Sequence, residues 1–235
     1  GGVSIDWMKK AGAKVQNLLT KGSMNHLTHQ LKKTPEQHFS EIAQIIALAK
    51  ENNIETNVYL EDWSNGMRNS PDYVFQFLDF LSTQPIKRIL LPDTLGVLIP
   101  SLAFEFISEI RAKYPNIHFD FHAHNDYDLS VANVMEAIKA GINGLHVTVN
   151  GMGERAGNAP LESTVAVIND YLPEVSINIK ETSLYSVSKL VETFTGYRIP
   201  ANKPIVGDNV FTQTAGIHAD GDNKNNLYFN DLLPS

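Results

Sequence analysis

The sequence predicts an α/β fold built on a parallel β-sheet, of the TIM (β/α)8 barrel type. Alternating apolar segments recur at intervals of one strand plus one helix, with predicted strand ends near residues 19, 61, 94, 124 and 150. Helical apolar spacing separates them, which is the pattern of parallel strands joined by crossover helices. Polar residues repeat on one face of successive strands, which is typical of a barrel whose lumen becomes an active site.

An open doubly wound sheet is the alternative architecture. No Gly-x-Gly-x-x-Gly segment follows a predicted strand, and the glycines of residues 151–157 have a different spacing, which disfavours it. Five strands are predicted whereas a closed barrel has eight, so we expect a barrel without its first three βα units. We place the catalytic barrel in residues 1–178 and a helical subdomain with an inter-subunit arm in residues 179–235.

Composition narrows the class of protein. The chain has 235 residues, of which 43% are hydrophobic and 19% charged, an ordinary balance for a globular protein. A net charge of −7 argues against nucleic acid as a partner. The absence of Cys excludes disulfides and thiol nucleophiles and fits a cytoplasmic location. No apolar run is long enough to span a bilayer, so we expect no membrane association.

The individual elements follow from local patterns. Alternation marks a strand over residues 13–19. Thr34 is a good N-cap, Pro35 fits the first helical position and Gln37 completes a capping box, so a helix begins there. Gly141 ends a later helix, because glycine readily adopts the left-handed conformation. The remaining strands are predicted at 55–61, 88–94, 119–124 and 144–150, and the remaining helices at 71–83, 101–113, 130–140, 160–171 and within 180–196.

The segment around residues 119–126 is the centre of the predicted site. Asp120, His122 and His124 lie on one face of the strand, because successive side chains point to opposite sides. Two imidazoles two residues apart on one strand face can bind a single metal ion. Histidines that only hydrogen-bond in a polar core are the alternative, and the polar ends of the other strands favour the metal. Ligation without Cys suits Mg²⁺, Mn²⁺ or Zn²⁺.

Three further residues have both a functional and an ordinary interpretation. Glu61 lies at the end of a strand and is followed by Asp62. Glu61 is either a general base or, like Asp62, a solvated loop carboxylate. Thr94 holds a substrate carboxylate or serves as a turn residue. Asn158 offers a carboxamide oxygen to a metal or caps the following helix at Pro160.

Five further histidines divide into two groups. His218 lies in a Gly- and Thr-rich turn of the polar tail, and we interpret that tail as an ordered arm that completes a site. The other four have no polar neighbours in the sequence and are interpreted as structural or surface residues: His26, His29, His38 and His118.

Four motifs in order resemble the 2-isopropylmalate synthase and homocitrate synthase family over essentially the whole chain. They are LPDTLG at 91–96, HAHND at 122–126, GMGERAGNAPLE at 151–162 and TAGIHADG at 214–221. LLTKG at 18–22 and VYLEDW at 58–63 look most like the (R)-citramalate synthase branch.

The resemblance implies a (β/α)8 barrel that condenses acetyl-CoA with a 2-oxo acid in branched-chain amino-acid biosynthesis. It implies His122, His124 and Asn158 at a divalent metal, with acetyl-CoA as co-substrate. Thr94 would contact the oxo-acid carboxylate. The remaining implied roles are proton transfer by Glu61 and His218, a side-chain pocket walled by Tyr59 and Leu19, and a homodimer whose arm, with His218 and Tyr228, reaches the partner's barrel.

One part of the family pattern is absent. The family opens with a strand bearing an Arg-Asp pair, in which the Asp is a metal ligand, and we find no such segment here. We therefore expect this polypeptide by itself to be impaired. A bulky Tyr59 and an aliphatic Leu19 favour pyruvate, with 2-oxoisovalerate as the alternative substrate. Two different functions compete with condensation: a carbon–carbon lyase of the HMG-CoA lyase type, and an inactive partial-barrel partner protein.

Overall fold

The computed structural model describes residues 2–228, and these fall into two compact units. Within the described residues, the first unit holds residues 2–146 and 154–158, and the second holds residues 147–153 and 159–228. The predicted domain boundary between residues 178 and 179 lies inside the second unit and stays a prediction. No helix within residues 2–228 is long and apolar enough to cross a membrane.

A parallel sheet forms the centre of the first unit. Within residues 2–228 it has five strands in the order β1-β2-β3-β4-β5, all parallel. This order of consecutive parallel strands separated by helices is that of a (β/α)8 barrel, and the predicted fold class is confirmed. The strands are β1 (Val15–Lys21), β2 (Glu55–Glu61), β3 (Arg88–Asp93), β4 (Phe119–Ala123) and β5 (Gly144–His146).

The helices of the first unit connect these strands. The predicted capping box is present: Thr34 Oγ1 accepts the Gln37 N–H at 3.3 Å, and Gln37 Oε1 accepts the Thr34 N–H at 3.0 Å. The helices are α1 (Gly2–Ala11), α2 (Met24–His26, continued by a π-helical turn at Leu27–Leu31), α3 (Pro35–Glu51), α4 (Trp63–Asn69), α5 (Pro71–Ser82), α6 (Pro100–Lys113) and α7 (Ser130–Lys139).

One face of the sheet is mostly apolar and buried. Val58 and Leu60 of β2 and Phe119 and Phe121 of β4 are completely inaccessible to solvent. Because side chains alternate along a strand, the residues between them share the opposite face. That opposite face is the polar one, and it contains the candidate site.

The second unit is helical. Its helices are α8 (Leu161–Tyr171), α9 (Leu184–Thr195) and α10 (Gly216–Asn225), with 3-10 turns at Val149–Gly151 and Glu181–Ser183. Val165, Leu184 and Val206 form its buried apolar cluster.

The last strand is shorter than predicted. Alternation indicated a strand to residue 150, but β5 ends at His146. The Thr148 N–H donates to the Ala159 carbonyl at 3.1 Å, and the Leu161 N–H donates to the Thr148 carbonyl at 2.9 Å. The backbone of Thr148 therefore pairs with residues 159 and 161 and not with a strand of the sheet. Asn150 then turns the chain with a φ of 61°. Local alternation does not reveal which partner a strand end finds.

Candidate active site

Strand register brings the predicted site residues onto one face. Tyr59 of β2 stands beside Leu19 of β1, and Glu61 stands beside Lys21. At the other end of the strand order, His122 of β4 stands beside His146 of β5. Residues in register on parallel strands point to the same side, so these side chains form successive layers on the polar face.

The His122 and His124 rings lie 5.0 Å apart, centre to centre, in an edge-to-face arrangement. Within residues 2–228, Nδ1 of each ring is buried and has no hydrogen-bond partner. Burial, reinforced by the neighbouring His124 and His146, lowers the pKa of His122 to about 4. Burial and then the charge of Arg155 lower the pKa of His124. Both imidazoles are therefore neutral at pH 7, which is the form that binds metals.

The glycine-rich loop brings Asn158 to this pair. Asn158 forms an antiparallel backbone bridge with His124, and the Asn125 N–H bonds the Gly157 carbonyl at 3.0 Å. Gly157 has a φ of 87°, a conformation that favours glycine. α8 begins at Leu161 with Pro160 as its N-cap residue, so Asn158 does not occupy the N-cap position.

Arg155 fastens the same loop to the strand ends. Its guanidinium binds both carboxylate oxygens of Asp126, at 2.7 Å and 2.9 Å, and Nη2 also donates to the Thr94 carbonyl at 2.7 Å. This paired geometry is the most specific one available to an Arg–carboxylate contact. Loops following β3, β4 and β5 are thereby joined at one edge.

These residues fit part of a metal site. Two neutral imidazoles with buried lone pairs, beside a carboxamide, are ligands that a divalent metal accepts. Among residues 2–228, no group of three or more His, Asp or Glu side chains has the placement of a metal site. His122, His124 and Asn158 would therefore supply at most two or three positions of a coordination sphere, and a bound metal would need further ligands.

Glu61 is held by an ion pair with Lys21, its register neighbour. The Lys21 side chain is 9% exposed and the Glu61 side chain 24% exposed, so the pair is largely shielded from water. Tyr73 Oη donates to the Lys21 carbonyl at 2.7 Å, which fixes the end of β1.

Asp62, next to Glu61, is a structural residue. It is 1% exposed and has a φ of 64°, which is uncommon for any residue except glycine. Its carboxylate accepts hydrogen bonds from Ser23 Oγ at 2.7 Å and Asn65 Nδ2 at 2.8 Å. The interpretation of Asp62 as a solvated loop carboxylate is therefore wrong.

Thr94 lies in a turn shaped by a buried carboxylate. Asp93 is fully buried and accepts the N–H groups of Val97 and Leu98, at 3.0 Å and 3.1 Å. Burial raises the pKa of Asp93, although these donors oppose the shift. Thr94 Oγ1 accepts the Asp62 N–H at 2.8 Å, which leaves the Thr94 hydroxyl hydrogen to donate elsewhere.

Tyr59 and Leu19 differ in their surroundings. Leu19 is 62% exposed. Tyr59 Oη lies 3.0 Å from His146 Nδ1. Burial, followed by the negative charge of Asp120, raises the pKa of Tyr59.

The two predicted arm residues belong to the second unit. The His218 and Tyr228 rings stack with their centres 4.2 Å apart. Gln213 joins them, because its Oε1 lies 3.2 Å from His218 Nδ1 and its Nε2 donates to the Tyr228 carbonyl at 3.3 Å.

Sequence reasoning placed Asp120 on this face but assigned no role to its carboxylate. Asp120 is 1% exposed, and it bonds His118 at 2.8 Å, Arg88 at 3.2 Å and His146 at 3.3 Å. Although burial opposes ionisation, these three contacts outweigh it and lower the pKa of Asp120 to about 2. His118 therefore does have a polar neighbour. The available signal was its spacing of two residues from Asp120, which places both on one strand face.

An α/β sheet of consecutive parallel strands, with histidines and carboxylates on one face, defines a protein of the (β/α)8-barrel class. The chain belongs to the HMGL-like family, whose model matches residues 4–191.

The curated relatives are synthases by name. The chain is 32% identical to a putative (R)-citramalate synthase of Methanopyrus kandleri, over 98% of this chain and 45% of the relative. It is 36% identical to a probable 2-isopropylmalate synthase of Ignicoccus hospitalis, over 89% of this chain and 51% of that relative. It is 37% identical to a homocitrate synthase of Saccharolobus islandicus, over 83% of this chain and 41% of that relative. The chain spans about half the length of these relatives.

Solved structures support the fold. An HMG-CoA lyase of Acinetobacter baumannii, in complex with coenzyme A and 3-methylmalate, superposes with a TM-score of 0.74 at 20% identity. The match covers 90% of this chain and 71% of the lyase. The predicted family resemblance is confirmed.

Proposed function

We propose that this chain carries catalytic machinery for a metal-dependent acyltransferase that condenses acetyl-CoA with a 2-oxo acid. The observation on which the proposal rests is the arrangement of His122, His124 and Glu61 on one sheet face. Relatives named citramalate, 2-isopropylmalate and homocitrate synthases support the same reaction class.

The reaction forms one carbon–carbon bond and breaks one thioester. Glu61 accepts a proton from the acetyl methyl group, and the resulting carbanion attacks the ketone carbon of the oxo acid. The ketone oxygen becomes an alkoxide and then takes a proton, which we propose comes from His218 of the partner subunit. Water then hydrolyses the thioester and releases free coenzyme A thiol.

The neighbouring residues position these groups. The ammonium of Lys21 orients the Glu61 carboxylate, and the free hydroxyl hydrogen of Thr94 donates to the oxo-acid carboxylate. His122 and His124, with Asn158, would hold the metal. When bound, a divalent metal supplies Lewis-acid polarisation of the ketone.

We propose pyruvate as the preferred oxo acid. The bulk of the Tyr59 ring and the aliphatic Leu19 would leave little room beyond a methyl group, and a pocket of this kind discriminates by about 1–3 kcal/mol per methylene. We further propose that His218 and Tyr228 serve the partner's barrel in a homodimer, and that the protein works in amino-acid biosynthesis in the cytoplasm.

The test is acetyl-CoA-dependent release of free thiol by the 235-residue chain with Mg²⁺ or Mn²⁺, on pyruvate and on 2-oxoisovalerate. Binding of each substrate is followed in parallel by saturation-transfer NMR. Glu61→Gln should abolish thiol release while pyruvate still binds, whereas Glu41→Gln, on the exposed side of α3, should behave as the unchanged chain.

Several results would overturn parts of the proposal. Faster release with 2-oxoisovalerate would reassign the substrate and contradict the roles of Tyr59 and Leu19. Cleavage of 3-hydroxy-3-methylglutaryl-CoA without any condensation would indicate a lyase. If the chain neither releases thiol nor binds pyruvate or acetyl-CoA, the condensation is excluded altogether.

A further inference from the structure

Three side chains from three strands form a continuous hydrogen-bonded chain on the polar face. Tyr59 Oη lies 3.0 Å from His146 Nδ1, and His146 Nε2 lies 3.3 Å from Asp120 Oδ2. Tyr59 is in β2, Asp120 in β4 and His146 in β5. The proposed condensation uses Tyr59 as a pocket wall and has no role for the other two.

Asp120 anchors this chain. It is 1% exposed, and its other contacts come from His118 Nε2 and Arg88 Nη1. An ionised carboxylate accepts hydrogen bonds and donates none. The His146 nitrogen that faces it, Nε2, therefore carries a hydrogen.

Because Asp120 holds Nε2, Nδ1 is the nitrogen of His146 that faces the Tyr59 hydroxyl. The hydrogen bond between Nδ1 and Tyr59 Oη therefore joins the Tyr59 ring to an imidazole that is itself anchored.

A role for His146 as a third metal ligand does not fit these contacts. Its ring centre lies 5.9 Å from that of His122, a distance at which both rings could contact one metal ion. Both nitrogens of His146 are engaged, whereas Nδ1 of His122 and Nδ1 of His124 are buried without a partner among residues 2–228. A ligand needs a free lone pair, so the geometry separates His146 from the metal-binding pair.

We propose that His146 is a positioning residue that, held by Asp120, fixes the Tyr59 ring and so sets the size of the oxo-acid side-chain pocket. This inference rests on the proposed function. Tyr59 then acts through the bulk of its ring, which the hydrogen bond to His146 holds in place. Releasing the ring lets it turn aside and admits a longer side chain.

The first test measures the selectivity between pyruvate and 2-oxobutyrate, which differ by one methylene. Both acids are titrated by NMR into the 235-residue chain in the presence of Mg²⁺, and the ratio of their dissociation constants is compared. His146→Ala should lower the preference for pyruvate by about tenfold, the scale at which a pocket senses one methylene. His146→Gln, whose amide both accepts and donates, should retain part of the preference. The exposed His29→Ala should leave the ratio unchanged.

A double-mutant cycle separates positioning from a general structural effect. Tyr59→Phe removes the hydroxyl, so it should lower the preference as His146→Ala does. In the Tyr59→Phe background, His146→Ala should change the ratio no further, because the contact is already lost. Independent, additive effects of the two substitutions would overturn the positioning role.

The second test is independent of substrate. In two-dimensional ¹⁵N NMR of the His146 ring, Tyr59→Phe should shift the Nδ1 resonance. An Nδ1 resonance insensitive to Tyr59→Phe would overturn the hydrogen-bonded chain alone. Failure of every variant to bind either oxo acid would overturn the proposed function and the selectivity role together, even with the expected shift of Nδ1.

Discussion

Lys21 and Glu61 lie side by side at the carboxyl ends of β1 and β2, where they form an ion pair between neighbouring strands. Forty positions separate them in the chain, and only the parallel register brings them together. The pair is mostly shielded from water, with side-chain exposures of 9% and 24%. The residue that we propose as the general base thus has a fixed cationic neighbour.

This ion pair should contribute more to stability than an exposed one. A double-mutant cycle with Lys21→Met and Glu61→Gln should give a coupling free energy of about 1–2 kcal/mol, because water screens the pair less. The matched control is the Lys33–Glu41 pair, with side-chain exposures of 32% and 49%, for which about 0.5 kcal/mol or less is expected. Urea unfolding of the single and double variants measures both. Equal couplings would show that burial adds nothing to the Lys21–Glu61 contact.

Metal binding should depend on the histidine pair. His122→Ala and His124→Ala should each weaken Mn²⁺ binding by more than about tenfold, since losing even a partner that orients a ligand costs tenfold or more. Electron paramagnetic resonance of the free Mn²⁺ signal gives the affinity without any need for turnover. His29→Ala is the control, because that histidine is exposed. Unchanged affinity in both His122→Ala and His124→Ala would remove the metal site from this face.

His38 should make the fold sensitive to acid. It is 5% exposed, its Nε2 accepts the Lys21 N–H at 3.2 Å, and burial, followed by the charge of Lys33, lowers its pKa to about 4. The unfolded chain, with a histidine pKa of about 6.5, binds the proton more readily. The free energy of unfolding should therefore fall as pH decreases from about 6.5 towards 4, by up to about 1.4 kcal/mol per pH unit.

His38→Gln isolates this contribution. Glutamine can accept the same backbone N–H but does not titrate, so the variant should lose that part of the slope. Urea unfolding between pH 7 and pH 5 compares the two chains. Identical slopes would show that His38 is not the group responsible.

The contact between Gly22 and Gly66 should tolerate no side chain. A Cβ on Gly66 would overlap the Gly22 carbonyl oxygen and lie 2.8 Å from Val74 Cγ2. Gly66→Ala should therefore destabilise the protein by about 3 kcal/mol, the upper range for overpacking. Gly141→Ala, whose nearest neighbour would be 3.9 Å away but whose φ is 87°, should cost about 1 kcal/mol from backbone strain alone. Thermal unfolding of the two variants should rank them in that order.

Much of the fold followed from local patterns in the chain. The alternation at residues 55–61 predicted β2 with the bounds that it has, and the Thr34 capping box predicted the start of α3. The helices α1 and α4 were not predicted. α1 packs Ile5 against Ala49 and Ile54, a contact with residues distant in the sequence that its own pattern does not reveal.

The sequence by itself determined which side chains share a strand face, since alternation is a local property of an extended backbone. It therefore identified His122, His124 and Glu61 as candidates. Only the tertiary structure decided which candidates meet, because strand register depends on packing between distant segments. The pairing of Lys21 with Glu61, the chain from Tyr59 through His146 to Asp120, and the end of β5 at His146 all arise at that level.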